Sequence, residues 1–318
     1  MKQPKPILIL IGAMCLFALR APLLKWLAIR GENLGLYGQD AFSFCNILFI
    51  GNACAGLAVW VYFGKSTIQS EFQKNDLKGY SLLLLSALLE LIPPALFYTA
   101  LMKTSVTNVI LLGRFGPLLF SVIGALVLKS TISSLQWVGY GFSLTAITIV
   151  VVYENGGRIN YGDGLMLLAG VINCFNTLLN RHVVKTSGLH AFLFTRCMVG
   201  AVAFFIIAVN FIGWHHFGDA VQPELWGALA VYAVIAVAVA ELAWYDALNR
   251  VDPKTVGSLS FISPCMGIVF ALILLKAQPE PSQWLALILV TIGILIANGK
   301  QIRETCFPKA TPSSLVVN

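Results

Sequence analysis

The chain has 318 residues, 58% of them hydrophobic and 11% charged, with a mean hydropathy of +0.82. Soluble domains carry about 25% charged residues, so this composition excludes a soluble fold and describes a polytopic membrane protein. The net charge of +7 sits mostly in short loops between apolar runs, where membrane orientation accounts for it, and it does not point to nucleic acid.

A helix needs roughly 20 mostly apolar residues to cross the hydrocarbon core. That measure predicts ten spans, at 7–29, 41–63, 79–102, 105–128, 133–153, 164–184, 191–214, 225–248, 254–275 and 282–299. The first follows Lys2 and Lys5 as a signal peptide would. It is too long for one, contains Arg20 and Lys25, and ends at no small-residue cleavage site. Arg20 lies two residues before Pro22, placed either to reach the protein interior or to snorkel outward beside Lys25. The second span carries Cys45, Asn46 and Asn52, and about 15 residues of loop are expected around Lys65–Lys78.

The third span holds Glu90 near its middle, where no side chain reaches water, with Pro94 and Tyr98 four and eight residues on along the same helical face. The fourth holds Arg114, sharing a face with Thr107 and Ser121, just before Pro117. Asn173, Asn176 and Asn180 form a polar stripe on the sixth, with Thr177 beside them. Arg196 enters the seventh close to its start, where snorkelling is the expected outcome. The eighth carries Glu241, Trp244 and Tyr245, and Pro264 interrupts the ninth. Residues 300–318 are expected to be a disordered tail.

The same text recurs 147 positions apart. Phe97-Tyr98-Thr99-Ala100-Leu101 matches Trp244-Tyr245-Asp246-Ala247-Leu248. The register continues without a gap through Pro117/Pro264, Val122/Val269, Leu128-Lys129/Leu275-Lys276 and Gln136-Trp137/Gln283-Trp284. Two halves of five spans each must enter the membrane from opposite sides, because five is odd. The repeats are therefore inverted, an arrangement that commonly puts a substrate site at the repeat interface near the midplane. With the N-terminus inside, thirteen Lys and Arg fall on the inner side and five (Lys25, Arg30, Lys103, Arg158, Lys276) on the outer. That predicts both termini in the cytoplasm.

Arg20, Glu90, Arg114, Arg196 and Glu241 remain inside spans. Each costs roughly 2.5–3.5 kcal/mol at mid-bilayer on insertion scales, so such residues face a cavity or a partner. Glu90 and Glu241 fall on corresponding faces of the two halves, one turn apart. They are candidates for substrate or proton handling, with interhelical salt bridges as the alternative. A guanidinium at Arg114 beside a proline suits a carboxylate or phosphate, with an internal pair to Glu90 as the alternative. Trp60, Trp137, Trp214, Trp226 and Trp284 fit an interfacial belt.

The seven cysteines form no C-x-x-C pair and have no His neighbours at ligand spacing, so no disulfide framework or metal site is predicted. A P-loop, H-E-x-x-H and G-x-S-x-G are absent. Gly162-Asp163-Gly164 opens a span without a second intramembrane Asp to complete a protease dyad.

Two halves that each carry an aromatic-Tyr-x-Ala-Leu segment, a helix with a central proline, a terminal Lys and then Gln-Trp resemble the EamA-like drug/metabolite transporters over roughly residues 7–299. Arg114 stands where small polar or apolar residues are commoner in that family. The resemblance implies a central cavity lined by the first four helices of each half, in secondary carriers that are often exporters of the bacterial inner membrane.

The expected fold is an all-α polytopic membrane protein of ten helices, as two inverted five-helix repeats (7–153 and 164–299) around that cavity. The expected function is an inner-membrane secondary transporter, not an enzyme. It would export a small carboxylate-bearing metabolite, an amino acid or derivative, by alternating access. Its substrate-binding residues are expected to be Arg114, Glu90, Tyr98, Asn173, Asn176, Asn180, Trp244 and Tyr245, with Glu90 and Glu241 as proton-coupling candidates. Expected partners are a small-molecule substrate and membrane lipid, in a monomer or homodimer with no cofactor or metal. The rival expectations are a proton-coupled exporter of organic cations and a membrane-embedded enzyme.

Overall fold

The computed structural model describes residues 4–31, 44–127, 132–153, 159–211, 213, 223–250, 259 and 262–306. Among them the chain is all-helical. It runs through α1 (Pro4–Gly31), α2 (Phe44–Phe72), α3 (Leu77–Leu89), α4 (Ile92–Lys103), α5 (Val106–Leu112), α6 (Phe115–Val127) and α7 (Ser134–Thr148), which continues as a π-helix (Ile149–Tyr153). Then follow α8 (Tyr161–Ser187), α9 (Leu189–Phe211), α10 (Pro223–Tyr232), a second π-helix (Ala233–Val239), α11 (Ala240–Arg250), α12 (Ile262–Leu275) and α13 (Pro281–Cys306).

Among the described residues seven helical segments are long and apolar enough to cross a membrane: Pro6–Arg30, Ile47–Phe72, Leu77–Lys103, Ser134–Val152, Tyr161–Ser187, Leu189–Asn210 and Trp226–Trp244. Of the other three expected spans, the one at 105–128 is two short helices, broken at the Gly113–Arg114 turn. That at 254–275 is described as the apolar helix Ile262–Leu275, with residues 254–258, 260 and 261 outside the described ones, and that at 282–299 falls within the 26-residue α13.

Two sequence expectations need correcting at their edges. The stretch after residue 63 is mostly helix: Gly64 takes φ +77°, a conformation open to glycine, and α2 then resumes to Phe72 because Ile68 and Phe72 join an apolar cluster with Leu83 and Phe192. The last helix also continues to Cys306, into the segment expected to be disordered. Residues 307–318 lie outside the described residues.

Polarity is distributed inside out. Large apolar side chains such as Leu84, Leu88, Val202, Ile206, Val231 and Ile273 are exposed, whereas Asn108, Asp163, Asn176, Asn180 and Glu241 are buried. This suits a bundle whose solvent is hydrocarbon, where polar groups must be satisfied by protein.

Helix boundaries follow the sequence repeat. Moving Ile92–Lys103 by 147 gives 239–250, against Ala240–Arg250 for α11, and moving Phe115–Val127 gives 262–274, against Ile262–Leu275 for α12. The packing follows it too. α2 lies on α9 and α7 on α13, while α1 packs on α11 and α12 as α8 packs on α4 and α6. The shift of 147 exchanges these last two sets.

α7 and α13 touch backbone to backbone. A Cβ on Gly139 would overlap the Gly293 carbonyl, and one on Gly293 would overlap the Gly139 carbonyl, with Ser143 and Ala297 flanking them. Small residues four apart allow such an approach between membrane helices. Gly139→Leu is expected to destabilise the protein by about 1–3 kcal/mol through overpacking. Gly141→Leu, which meets nothing within 4 Å, serves as the control. Equal thermal unfolding of the two variants in detergent would contradict the contact.

Candidate functional site

Four of the five intramembrane charges form one chain. Arg20 Nη2 meets Glu241 Oε1 at 2.8 Å, Glu241 Oε2 accepts from Arg196 Nη1, and Arg196 Nε lies 3.3 Å from Glu90 Oε2. Asn180 Nδ2 closes the series on Glu90 Oε1. The side chains are largely withdrawn from solvent, at 25% exposure for Arg20, 13% for Arg196, 12% for Glu90 and 6% for Glu241. Two cations and two carboxylates sum to zero. Buried charges persist on those terms, because each partner offsets the other's lost hydration.

The chain joins α1, α11, α9, the turn between α3 and α4, and α8. It therefore corrects the expectation that Arg196 snorkels, and it resolves Arg20 toward the interior. Carboxylates within reach offer each guanidinium an ion pair, and withdrawing Arg196 would leave Glu90 without a cation in the membrane. Arg20 also lies 4.5 Å above the Phe17 ring, which meets Trp244 edge-on at 5.7 Å. Trp244 thus supports the chain through Phe17 and packs beside Leu10 and Met14.

Both third helices of the repeat are irregular, at matching places. In the first half α3 stops at Leu89 and α4 starts at Ile92. Pro93 has no N–H to give the Leu89 carbonyl four residues back, and Asn176 Nδ2 donates to that oxygen at 2.9 Å instead. In the second half the π-helix Ala233–Val239 occupies the equivalent stretch, and Arg20 Nε donates to Ala236 O. Each irregularity is thus satisfied from the first helix of the other half. A satisfied carbonyl matters here because an orphaned buried one costs about 1–3 kcal/mol.

Arg114 stands apart. It occupies the turn between α5 and α6, where Gly113 and Arg114 interrupt the helix. It does not pair with Glu90, contrary to one sequence alternative. Its Nη2 reaches Ser263 Oγ at 3.4 Å, beyond the usual range for an N–H···O bond. Its Nε is buried without a hydrogen-bond partner. Among the described residues no carboxylate lies within ion-pair distance of it.

The remaining expected site residues divide. Asn176 and Asn180 are buried and donate from Nδ2 to the Leu89 carbonyl and to Glu90, and Asn180 Oδ1 is buried with no hydrogen-bond partner among the described residues. Asn173 shares their stripe but is exposed. About 10 Å of helix rise separates it from Asn180, and a face is buried only where another helix covers it. Tyr98 is buried within the main apolar core. The side chains of Tyr245, Cys45, Asn46, Pro117 and Ser121 lie outside the described ones. A cavity with room for about one water molecule sits beside Glu90 and Arg196, lined also by Asn52, Leu91, Pro94 and Phe204. Among the described residues no group of three His, Cys, Asp or Glu could hold a metal ion.

Comparison with known proteins gives a consistent result. The model of the EamA-like transporter family matches residues 5–152 and 160–299. An uncharacterized transporter of Synechocystis sp. is 29% identical over 307 residues, covering 93% of this chain and 88% of the relative. An uncharacterized transporter of Bacillus subtilis, YwfM, is 24% identical, covering 78% and 81% respectively. A solved crystal structure of a protein superposes with a TM-score of 0.64 at 17% identity, covering 95% of this chain and 99% of the other. That likeness is one of fold.

Proposed function

The chain belongs to the EamA-like transporter family, and from that premise we propose that it is a secondary carrier for a small carboxylate-bearing metabolite, held at Arg114 and moved by alternating access. One observation carries the choice of cargo. Of the three intramembrane arginines, two are matched by Glu90 and Glu241, and among the described residues Arg114 alone has a buried guanidinium nitrogen with no partner. A guanidinium presents a planar fork of donors that fits a carboxylate in two parallel bonds. A cargo acid arriving there supplies the counter-ion that no described residue provides.

The same accounting disfavours an exporter of organic cations. Such a carrier needs an unmatched acid, whereas both glutamates are already neutralised by arginines. Glu90, on the longest link of the chain and beside the small cavity, is the group we assign to the cargo's amine or to a coupled proton. The Phe17–Trp244 pair then steadies Arg20, and Asn176 and Asn180 hold the turn that presents Glu90.

The architecture we assign is ten spans as two inverted repeats of five. Two stretches of family match, the boundaries that recur at 147 residues and the exchanged helix pairings support it. The distribution of Lys and Arg supports cytoplasmic termini in an inner membrane and, with the family, export.

The test is flux in proteoliposomes, with a pooled panel of amino acids, organic acids and amines, with and without a pH gradient. Saturable movement of a carboxylate-bearing compound that Arg114→Gln abolishes is the expected outcome. Movement of amines alone, undiminished in Arg114→Gln, would replace this reading by the cation exporter.

A further inference from the structure

At the end of the bundle opposite the start of α1 and the end of α13, four helix ends are tied together by side-chain hydrogen bonds. Gln283, buried in the first turn of α13, donates from Nε2 to Ser105 Oγ at 3.0 Å and to Asn108 Oδ1 at 2.8 Å. Its Oε1 accepts from the backbone of Glu280 at 3.2 Å, so one amide both caps its own helix and reaches across to the start of α5. Asn108 Nδ2 then approaches Thr104 Oγ1 at 3.3 Å, and Thr104 donates to the buried Asp163 carboxylate in the first turn of α8 at 2.7 Å. Gly162 is packed against the backbone of Lys103 and Thr104, where a Cβ would not fit. Lys25 Nζ, at the same end of α1, donates to Leu101 O at 3.1 Å.

Gln136 is the repeat counterpart of Gln283. It forms the same cap on its own helix, accepting from the Ser133 backbone at 2.8 Å. The positions equivalent to Thr104, Ser105 and Asn108, at 251, 252 and 255, lie outside the described residues. Sequence repetition explains the cap at both ends.

We propose that Gln283, with Asn108, Thr104 and Asp163, is the latch that closes this end of the transporter, and that its release opens the passage toward the Arg114 turn. Its strength suits that role. The bonds between neutral groups contribute about 0.5–1.5 kcal/mol each, and the one from Thr104 to the Asp163 carboxylate about 1.5–3 kcal/mol, enough together to bias a conformational equilibrium and little enough to be undone in each cycle. A charge chain of the kind around Arg196 could not be opened so cheaply. The latch rests on the alternating-access reading and is independent of the cargo's identity.

Hydrogen–deuterium exchange of the full-length protein in nanodiscs, without cargo, tests it. Gln283→Ala should raise exchange about tenfold, the change one or two lost hydrogen bonds give in an opening equilibrium. The rise should cover 103–109 and 281–285 and extend to the Gly113–Arg114 turn. Asn108→Ala should raise exchange in the same segments, and the double variant should add little to either change, as members of one network do. Gln136→Ala should loosen only its own helix start. A rise confined to 281–285 in Gln283→Ala would reduce Gln283 to a helix cap and overturn the latch. Because no cargo is present, that result leaves the carboxylate reading untouched, and failure of carboxylate flux leaves the latch untouched.

Discussion

Arg196→Leu is expected to destabilise the folded protein by about 3–5 kcal/mol, the loss typical of breaking a buried ion pair from one side. The reason lies in who is left alone. Glu241 keeps Arg20 at 2.8 Å, but Glu90 keeps only the amide of Asn180. An uncompensated carboxylate then sits in the membrane interior among α3, α8 and α9. Adding Glu90→Gln removes that charge and should recover most of the loss, whereas Glu241→Gln should not. Thermal unfolding in detergent, followed by tryptophan fluorescence, distinguishes these outcomes. If Arg196→Leu unfolds like the wild type, the arginine reaches the membrane surface and the charge chain does not hold the bundle.

Arg114→Leu should behave in the opposite way. Its guanidinium has a partnerless nitrogen and one long contact to Ser263, so removing it takes away a cost rather than a bond. A charge in mid-bilayer costs roughly 2.5–3.5 kcal/mol on insertion scales, which bounds the possible gain. The variant is therefore expected to be as stable as the wild type or more so, and to fail in transport. Losing a charged hydrogen-bonding contact to the cargo is worth about 1.5–3 kcal/mol, or roughly 10- to 150-fold in apparent affinity. The pair of readouts matters more than either alone. A structural arginine would lose stability and flux together. A loss of more than about 1 kcal/mol in stability would place Arg114 with the scaffold and leave the carboxylate without its site.

These two arginines show where sequence reasoning stops. Both lie in apolar runs, both carry a functional reading and a bland one, and spacing does not separate them. Charge counting comes nearer: three arginines and two glutamates remain inside the spans, so one cation must be in surplus. Which one is surplus depends on partners more than a hundred residues away, such as Arg20 with Glu241 and Arg114 with Ser263. The asparagine stripe is a similar case. Its spacing marks a polar face of α8, but the Nδ2 groups of Asn176 and Asn180 go to the α3–α4 turn and to Glu90, and Asn173 is exposed.

Composition and hydropathy by themselves determined that this is a helical membrane protein, because hydrocarbon permits few other ways to satisfy a backbone, and the motifs repeated at 147 residues carried its resemblance to EamA-like transporters. Pro93 and Pro94 marked the break between α3 and α4, whereas Pro22, Pro117 and Pro264 lie within helices. Only the tertiary structure decided which buried charges neutralise one another, that Arg114 meets no carboxylate among the described residues, and that Gln283 bridges from its own helix to α5. Those are pairings across helices, fixed by a few ångströms of packing, and a chain read in order carries no measure of that distance.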